Sequence, residues 1–131
     1  MTQIAVSIDT MTSMNGAGII LVYGNRVLLL KGVKTGIWSF PKGHSEPNDA
    51  DLLATAVRET REETGYVNGV DYTIGERVRL DKRVYWKGHV TTLKRPLISE
   101  EHTQWRWVLL DEIDWLNVNS GVKEWQMQSR S

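Results

Sequence analysis

Glu59, Glu62 and Glu63 stand three and four residues apart. On a helix that spacing puts carboxylates on one face, with about 5–6 Å between neighbouring Cβ atoms. Three like charges so placed destabilise a bare helix, and close to its C-terminus they also oppose the helix dipole. Something should compensate them. A tight set of carboxylate oxygens suits a hard divalent cation such as Mg²⁺, which takes a few carboxylates together with water and substrate phosphates. The same residues also read as a solvated acidic face interleaved with Arg58 and Arg61.

A helix must present this cluster. From about Asp49 to Thr64, Leu52, Leu53, Ala56 and Val57 recur at helical spacing. Asn48, Asp49 or Asp51 can cap the start, and Gly65 can close the end in the left-handed conformation. Around it the chain reads as strands. Gly16 to Tyr23 and Arg26 to Lys31 are apolar runs joined by Gly24-Asn25, which predicts a hairpin. Ile4, Val6 and Ile8 alternate and predict a short edge strand, and Ile37 to Phe40 a short extended piece stopped by Pro41. Gly43 to Asp49 reads as a loop. Tyr72 to Leu80, Arg83 to Leu93 and Gln104 to Leu110 read as strands, Asp111 to Leu116 as a short helix, and Val118 to Ser131 as a further helical turn before a frayed tail. The class is α+β.

The run Arg58-Glu59-Thr60-Arg61-Glu62-Glu63-Thr64-Gly65-Tyr66, with Gly43 upstream, resembles the signature of the Nudix hydrolases: Gly, five residues, Glu, seven residues, then Arg-Glu-bulky-x-Glu-Glu-x-Gly-bulky. The second half matches, with Thr60 at the bulky position. The first half departs, because fourteen residues separate Gly43 from Arg58 where the pattern has thirteen. Counted forward, the signature Glu falls on Asp49; counted back, it falls on Ala50, beside Asp51. Ile37 to His44 with Glu46-Pro47, and Ser99 to Trp107, are similar to stretches of asymmetrical dinucleoside tetraphosphate hydrolases, with Trp105 where those enzymes carry Tyr. RNA-decapping and RNA 5′-pyrophosphate relatives share the Phe-Pro-Lys-Gly lead-in.

The resemblance implies an α/β/α sandwich with a mixed sheet and one long catalytic helix, a single domain over residues 1–131. It also implies Mg²⁺-dependent attack of water at phosphorus on a nucleoside diphosphate linked to another group, with diadenosine tetraphosphate (Ap4A) cut to ATP and AMP as the leading case. Mn²⁺ is a substitute cation. Glu59, Glu62 and Glu63 would hold the metal, and Glu101 resembles the downstream carboxylate used as ligand or general base, with Glu100 its competitor. Glu62, Glu101 and Arg58 form the catalytic set, Arg58 by orienting the glutamates. Lys42, Gly43 and His44 would meet the phosphates, while Trp38 and Tyr85 would clamp a base. His102 also falls in a matched motif. Alternatives within the family are an RNA 5′-end or mRNA-cap pyrophosphohydrolase and a hydrolase that sanitises nucleoside triphosphates. A catalytically silent nucleotide-sensing module is a further alternative, although such a module would be expected to have lost the helical carboxylates.

Composition narrows the partners. Sixteen basic residues balance sixteen acidic ones in 131, which argues against a general nucleic-acid coat or a membrane-surface binder. With no cysteine, disulfides, thiolate catalysis and sulfur-based zinc sites are excluded. No apolar stretch is long enough to span a bilayer, and the N-terminus lacks the pattern of a signal peptide. The expectation is a cytoplasmic monomer or homodimer acting on a small nucleotide polyphosphate. Arg77, Arg79, Lys82, Arg83 and Lys87 could funnel a polyphosphate or an RNA end, or form a solvated strand face.

Overall fold

The computed structural model describes residues 16–130. Strands β1 (Ala17–Tyr23) and β2 (Arg26–Gly32) form the expected hairpin, with Val22 opposite Val27 and Tyr23 opposite Arg26. Two short strands follow, β3 (Trp38–Ser39) against β2 and β4 (Lys42–Gly43) against the start of β1. Helix α1 (Leu52–Thr64) then crosses one face. The second hairpin, β5 (Tyr72–Leu80) and β6 (Arg83–Val90), returns so that β6 lies parallel to β1 from Ala17–Val84 to Val22–His89. β7 (His102–Leu109) runs antiparallel to β2. A 3₁₀ turn (Leu110–Trp115) and helix α2 (Ser120–Ser129) complete the described chain. The sheet is mixed, with the order β3-β2-β1-β6-β5 and β7 on the other edge of β2.

The two central strands are apolar without interruption because both of their faces are covered. Ile19, Leu21, Leu28 and Leu30 face α1 and join Ala56, Tyr66, Tyr72 and Val84 in one core layer. Ile20, Val27 and Leu29 face the other way and join Phe40, Leu80, Val108, Ile113 and Val122 under α2. Each of these large side chains contributes roughly 1.5–3 kcal/mol on burial. The result is the α/β/α sandwich.

The structure moves several boundaries. The Asp51 carboxylate accepts the Ala54 amide at 2.8 Å, so α1 starts at Leu52 and Asp49 is left free for another partner. Gly65 closes the helix with φ 79°. β6 stops at Val90 rather than Leu93, because the Thr91 and Thr92 amides turn to the Asp71 carbonyl at 2.8 and 3.1 Å. The last segment is a helix of ten residues rather than one turn, capped by Asn119, whose side chain accepts the Val122 amide at 3.0 Å. The edge strand expected at Ile4–Ile8 lies outside the described residues.

Candidate active site

Freed from capping, Asp49 meets Arg58 as a two-pronged ion pair, with Nε to Oδ1 and Nη2 to Oδ2 both at 2.9 Å. The Glu46 amide and the Thr55 hydroxyl, each at 2.9 Å, complete the hydrogen bonds to Asp49 Oδ2. The fork holds the Asp49 carboxyl well below the usual carboxylate range and raises the Arg58 pKa in turn. Arg58 also donates to the His44 carbonyl at 3.0 Å and to Glu62 at 3.1 Å, and lies 3.8 Å from Glu59. It therefore ties the Gly43–Asp49 loop to the helix and orients the carboxylates one and four residues on. Of the acidic positions left open by the loop length, Asp49 takes this place; Asp51 caps the helix.

The opposite side of the cluster is built by β4. Gly43, paired with Ala17, passes so close to the Glu59 carboxylate that a Cβ there would overlap it. Glu63 is only 5% exposed. It accepts the Lys42 backbone amide at 3.2 Å, and no cationic side chain forms an ion pair with it among the described residues. Burial pushes its pKa up to about 8, the Lys42 amide opposing and the Glu59 and Glu101 charges adding to the rise. Burial likewise lifts Glu59 to about 7 against the pull of Arg58, with Glu62 reinforcing it.

A NUDIX domain model matches residues 12–126, a span that contains every element of this site. The chain belongs to the Nudix family. Curated relatives include the asymmetrical bis(5′-nucleosyl)-tetraphosphatases of Mus musculus, 37% identical over 57% of this chain and 57% of that one, and of Sus scrofa, 37% identical over 64% and 65%. The chain thus spans less than two thirds of the length of either relative. Among solved structures, a C. elegans Ap4A hydrolase binary complex superposes with a TM-score of 0.73 at 24% identity, covering 87% of this chain and 94% of that one. The Nudix hydrolase RenU of M. smegmatis superposes with a TM-score of 0.75 at 18% identity, covering 90% and 84%. At these identities the superpositions establish the shared fold.

Within this Nudix fold, the start of β7 delivers the remaining polar groups. Ligand atoms of Glu63, Glu101 and His102 all lie within 4.8 Å of one another. The Glu101 carbonyl accepts the Val33 amide at 2.9 Å, which pins the loop before β7 to the chain leaving β2. His102 is half-buried, with Nδ1 3.5 Å from the Ser99 hydroxyl. Burial lowers its pKa and so favours the neutral ring, outweighing the neighbouring Glu101 charge, which raises it. Glu62 stands apart: it is exposed and turned to Arg58. His44 brings its carbonyl to Arg58 while its ring sits in solvent. The Lys42 side chain is desolvated and its pKa lowered, with Arg83 adding repulsion.

Trp38 and Tyr85 do not form the expected base clamp. They are 7% and 1% exposed and belong to the core layer under α2. Tyr85 meets Phe40 edge-on at 5.6 Å, and the Trp38 backbone is bonded to Asn117 and Asn119. Both residues alternate toward the face that α2 closes, so no ring face is left for a ligand. Asp49 and His102 are the additions: both sit in stretches that the sequence marks, but only the fold decides their partners.

Proposed function

We propose that this Nudix protein hydrolyses dinucleoside polyphosphates, with Ap4A cut to ATP and AMP by attack of water at phosphorus. The observation that carries the reading is the buried carboxylate of Glu63, set beside Glu101 and His102, with no cationic side chain in an ion pair with it among the described residues. The names of the curated relatives support the substrate.

The donor set fits a hard divalent ion. Glu63 and Glu101 offer carboxylate oxygens side by side, with Glu59 one helical turn before Glu63, and such oxygens suit Mg²⁺ or Mn²⁺, while the His102 imidazole lies beside them. Glu62 would join from the exposed side. When bound, the ion supplies charge neutralisation for the polyphosphate and lowers the pKa of a bound water. The chain's own groups do the rest. The Asp49–Arg58 fork fixes the helix against the loop, so the glutamates reach their positions without reorganisation on binding. The narrow approach at Gly43 holds the Glu59 carboxylate against β4. Lys42 brings a desolvated ammonium to the same strand, where it is suited to a phosphate oxygen. In this reading Glu101, exposed at the rim, serves as ligand or accepts a proton from the attacking water.

Product analysis tests this. The protein is incubated with Mg²⁺ and Ap4A, with triphosphate-ended RNA and capped RNA in parallel. ATP plus AMP as dominant products would uphold the reading. Products from RNA alone would replace the substrate with an RNA 5′ end. Folded Glu62→Gln should lose several orders of magnitude in turnover, and near-normal turnover would remove Glu62 from the metal set.

A further inference from the structure

Three glutamates near the C-terminus of α1 oppose its dipole, and a segment distant in sequence answers them. The carbonyls of a last helical turn need donors from elsewhere. Here the Thr64 carbonyl accepts the Leu97 amide at 2.9 Å, and the Gly65 carbonyl accepts Lys94 Nζ at 2.8 Å. A cation at that end of a helix is favourable for the same reason that carboxylates are not. Lys94 Nζ also pairs with the Asp71 carboxylate at 2.7 Å and lies over the Tyr66 ring, 5.3 Å from its centroid. The Lys94 backbone is held as well. The Tyr66 hydroxyl donates to its carbonyl at 2.6 Å and accepts its amide at 3.1 Å. Asp71 is buried at 3% exposure, and its carboxylate accepts the Val67 amide at 2.8 Å.

The same segment delivers the other half of the carboxylate cluster. Four residues after Leu97 comes Glu101, whose carbonyl accepts the Val33 amide at 2.9 Å. The turn is closed by the His102 amide on the Ser99 carbonyl at 3.1 Å, with the Glu101 amide 3.4 Å from the Ser99 hydroxyl. Ligand atoms of Glu63, Glu101 and His102 then meet within 4.8 Å. These connections close a ring. It runs from Glu63 and Thr64 on α1 across to Leu97, along the chain to Glu101, and back to Glu63. Lys94 sits where the ring is fastened to the rest of the fold, because its partner Asp71 also holds the Thr91 and Thr92 amides through its carbonyl.

We propose that Lys94 is a positioning residue for the candidate cation site: by fastening the 94–98 segment to the end of α1, it sets the spacing between Glu63 and Glu101. It acts through Gly65 and Tyr66 on one side and through the backbone leading to Glu101 on the other. The inference rests on the reading of these carboxylates as a divalent-cation site. A fixed spacing matters there, since Mg²⁺ demands near-ideal octahedral geometry at about 2.0–2.1 Å and tolerates little drift in its ligands.

The test is metal binding without substrate. Mn²⁺ is titrated into the full chain and followed by the electron paramagnetic resonance signal of the free ion, which is lost on binding. Lys94→Met should weaken Mn²⁺ binding about tenfold. Lys94→Arg, which keeps a cation for Asp71 and Gly65, should restore it. Gln126→Leu removes a buried hydrogen bond under the opposite face of the sheet and should leave Mn²⁺ affinity unchanged, which separates positioning from lost stability. Amide exchange in the metal-free protein reads the ring itself: in Lys94→Met the Leu97 and Val33 amides should lose protection together. Should Lys94→Met not fold, Asp71→Asn combined with Lys94→Gln removes both charges, leaves no buried ion unpaired and should show the same two losses. Parental Mn²⁺ affinity in a folded Lys94→Met or double variant overturns the inference while the cation site stands. Loss of protection at Leu97 with Val33 unchanged overturns it too. A parent protein that binds no Mn²⁺ overturns the cation site, and the positioning role falls with it.

Discussion

Helices α1 and α2 each bury a polar side chain against the same sheet, and they treat it differently. On α2, Gln126 is fully buried and its amide donates to the Leu110 carbonyl at 2.9 Å and to Asp114 at 3.0 Å. Arg130 in turn holds Asp111 and Asp114 at 3.2 and 3.0 Å. Every group there has a partner supplied by the chain. On α1, Glu63 is nearly as buried but receives one neutral backbone donor, and its carboxyl is driven up to about 8. A buried polar group with a full set of partners is architecture; a buried carboxylate with a single neutral donor is where the proposed cation would sit.

The sharpest way to break this contrast is to remove the α1 charges. Glu63→Gln and Glu59→Gln should each lower turnover of Ap4A on the order of 10³-fold with the fold retained, read by steady-state kinetics beside circular dichroism. Full activity in either variant would make α1 as structural as α2. Next comes the support. Asp49→Asn removes half of the fork and should lower activity roughly 10–100-fold, whereas Asp51→Asn keeps a capping side chain and should leave it unchanged. A third change works on α2: Gln126→Leu leaves the Leu110 carbonyl without its side-chain donor, while Asp114 keeps Arg130, and should remove about 1–3 kcal/mol of stability in urea unfolding. Its kcat should stay the same.

The smallest effect is on stability against pH. Glu63 holds its proton in the folded, metal-free protein up to about 8, well above its ordinary value of 4.5. Between those values the folded state binds more protons than the unfolded state. Metal-free stability should therefore fall as pH rises through this window and level off above it. Saturating Mg²⁺ should raise Tm by roughly 3 °C more at pH 9 than at pH 6, and Glu63→Gln should flatten the metal-free curve. A metal response independent of pH would detach Glu63 from the cation.

The same contrast explains what could be read from the sequence. α1 and its glutamates were legible because helical periodicity fixes which residues share a face. The β1–β2 hairpin was legible because its turn is written in Gly24-Asn25. The aromatic clamp was not, since Trp38 and Tyr85 lie on elements of a sheet covered on both faces, where alternation no longer separates core from surface. Loop length alone could not choose between Asp49 and Asp51, the acid beside Ala50; the Ala54 amide takes Asp51, and Arg58 takes Asp49. β4 is two residues long and has no pattern to read. The parallel pairing of β1 with β6 depends on partners far apart in the chain, which no local signal encodes.

That long-range pairing has a consequence during synthesis. β1 and β2 emerge first and form their hairpin, but β1 receives β6, and β2 receives β7, only after α1 has been made. Until then a nascent chain carries two apolar strands, Ile19 to Leu21 and Val27 to Leu30, with open edges and bare faces. Closing loops of this size makes folding slow for a domain of this length. The sticky interval ends as β7 is laid down, the strand that opens on His102 just after Glu101, so a chain halted before it is both aggregation-prone and short of the last residues of the candidate site.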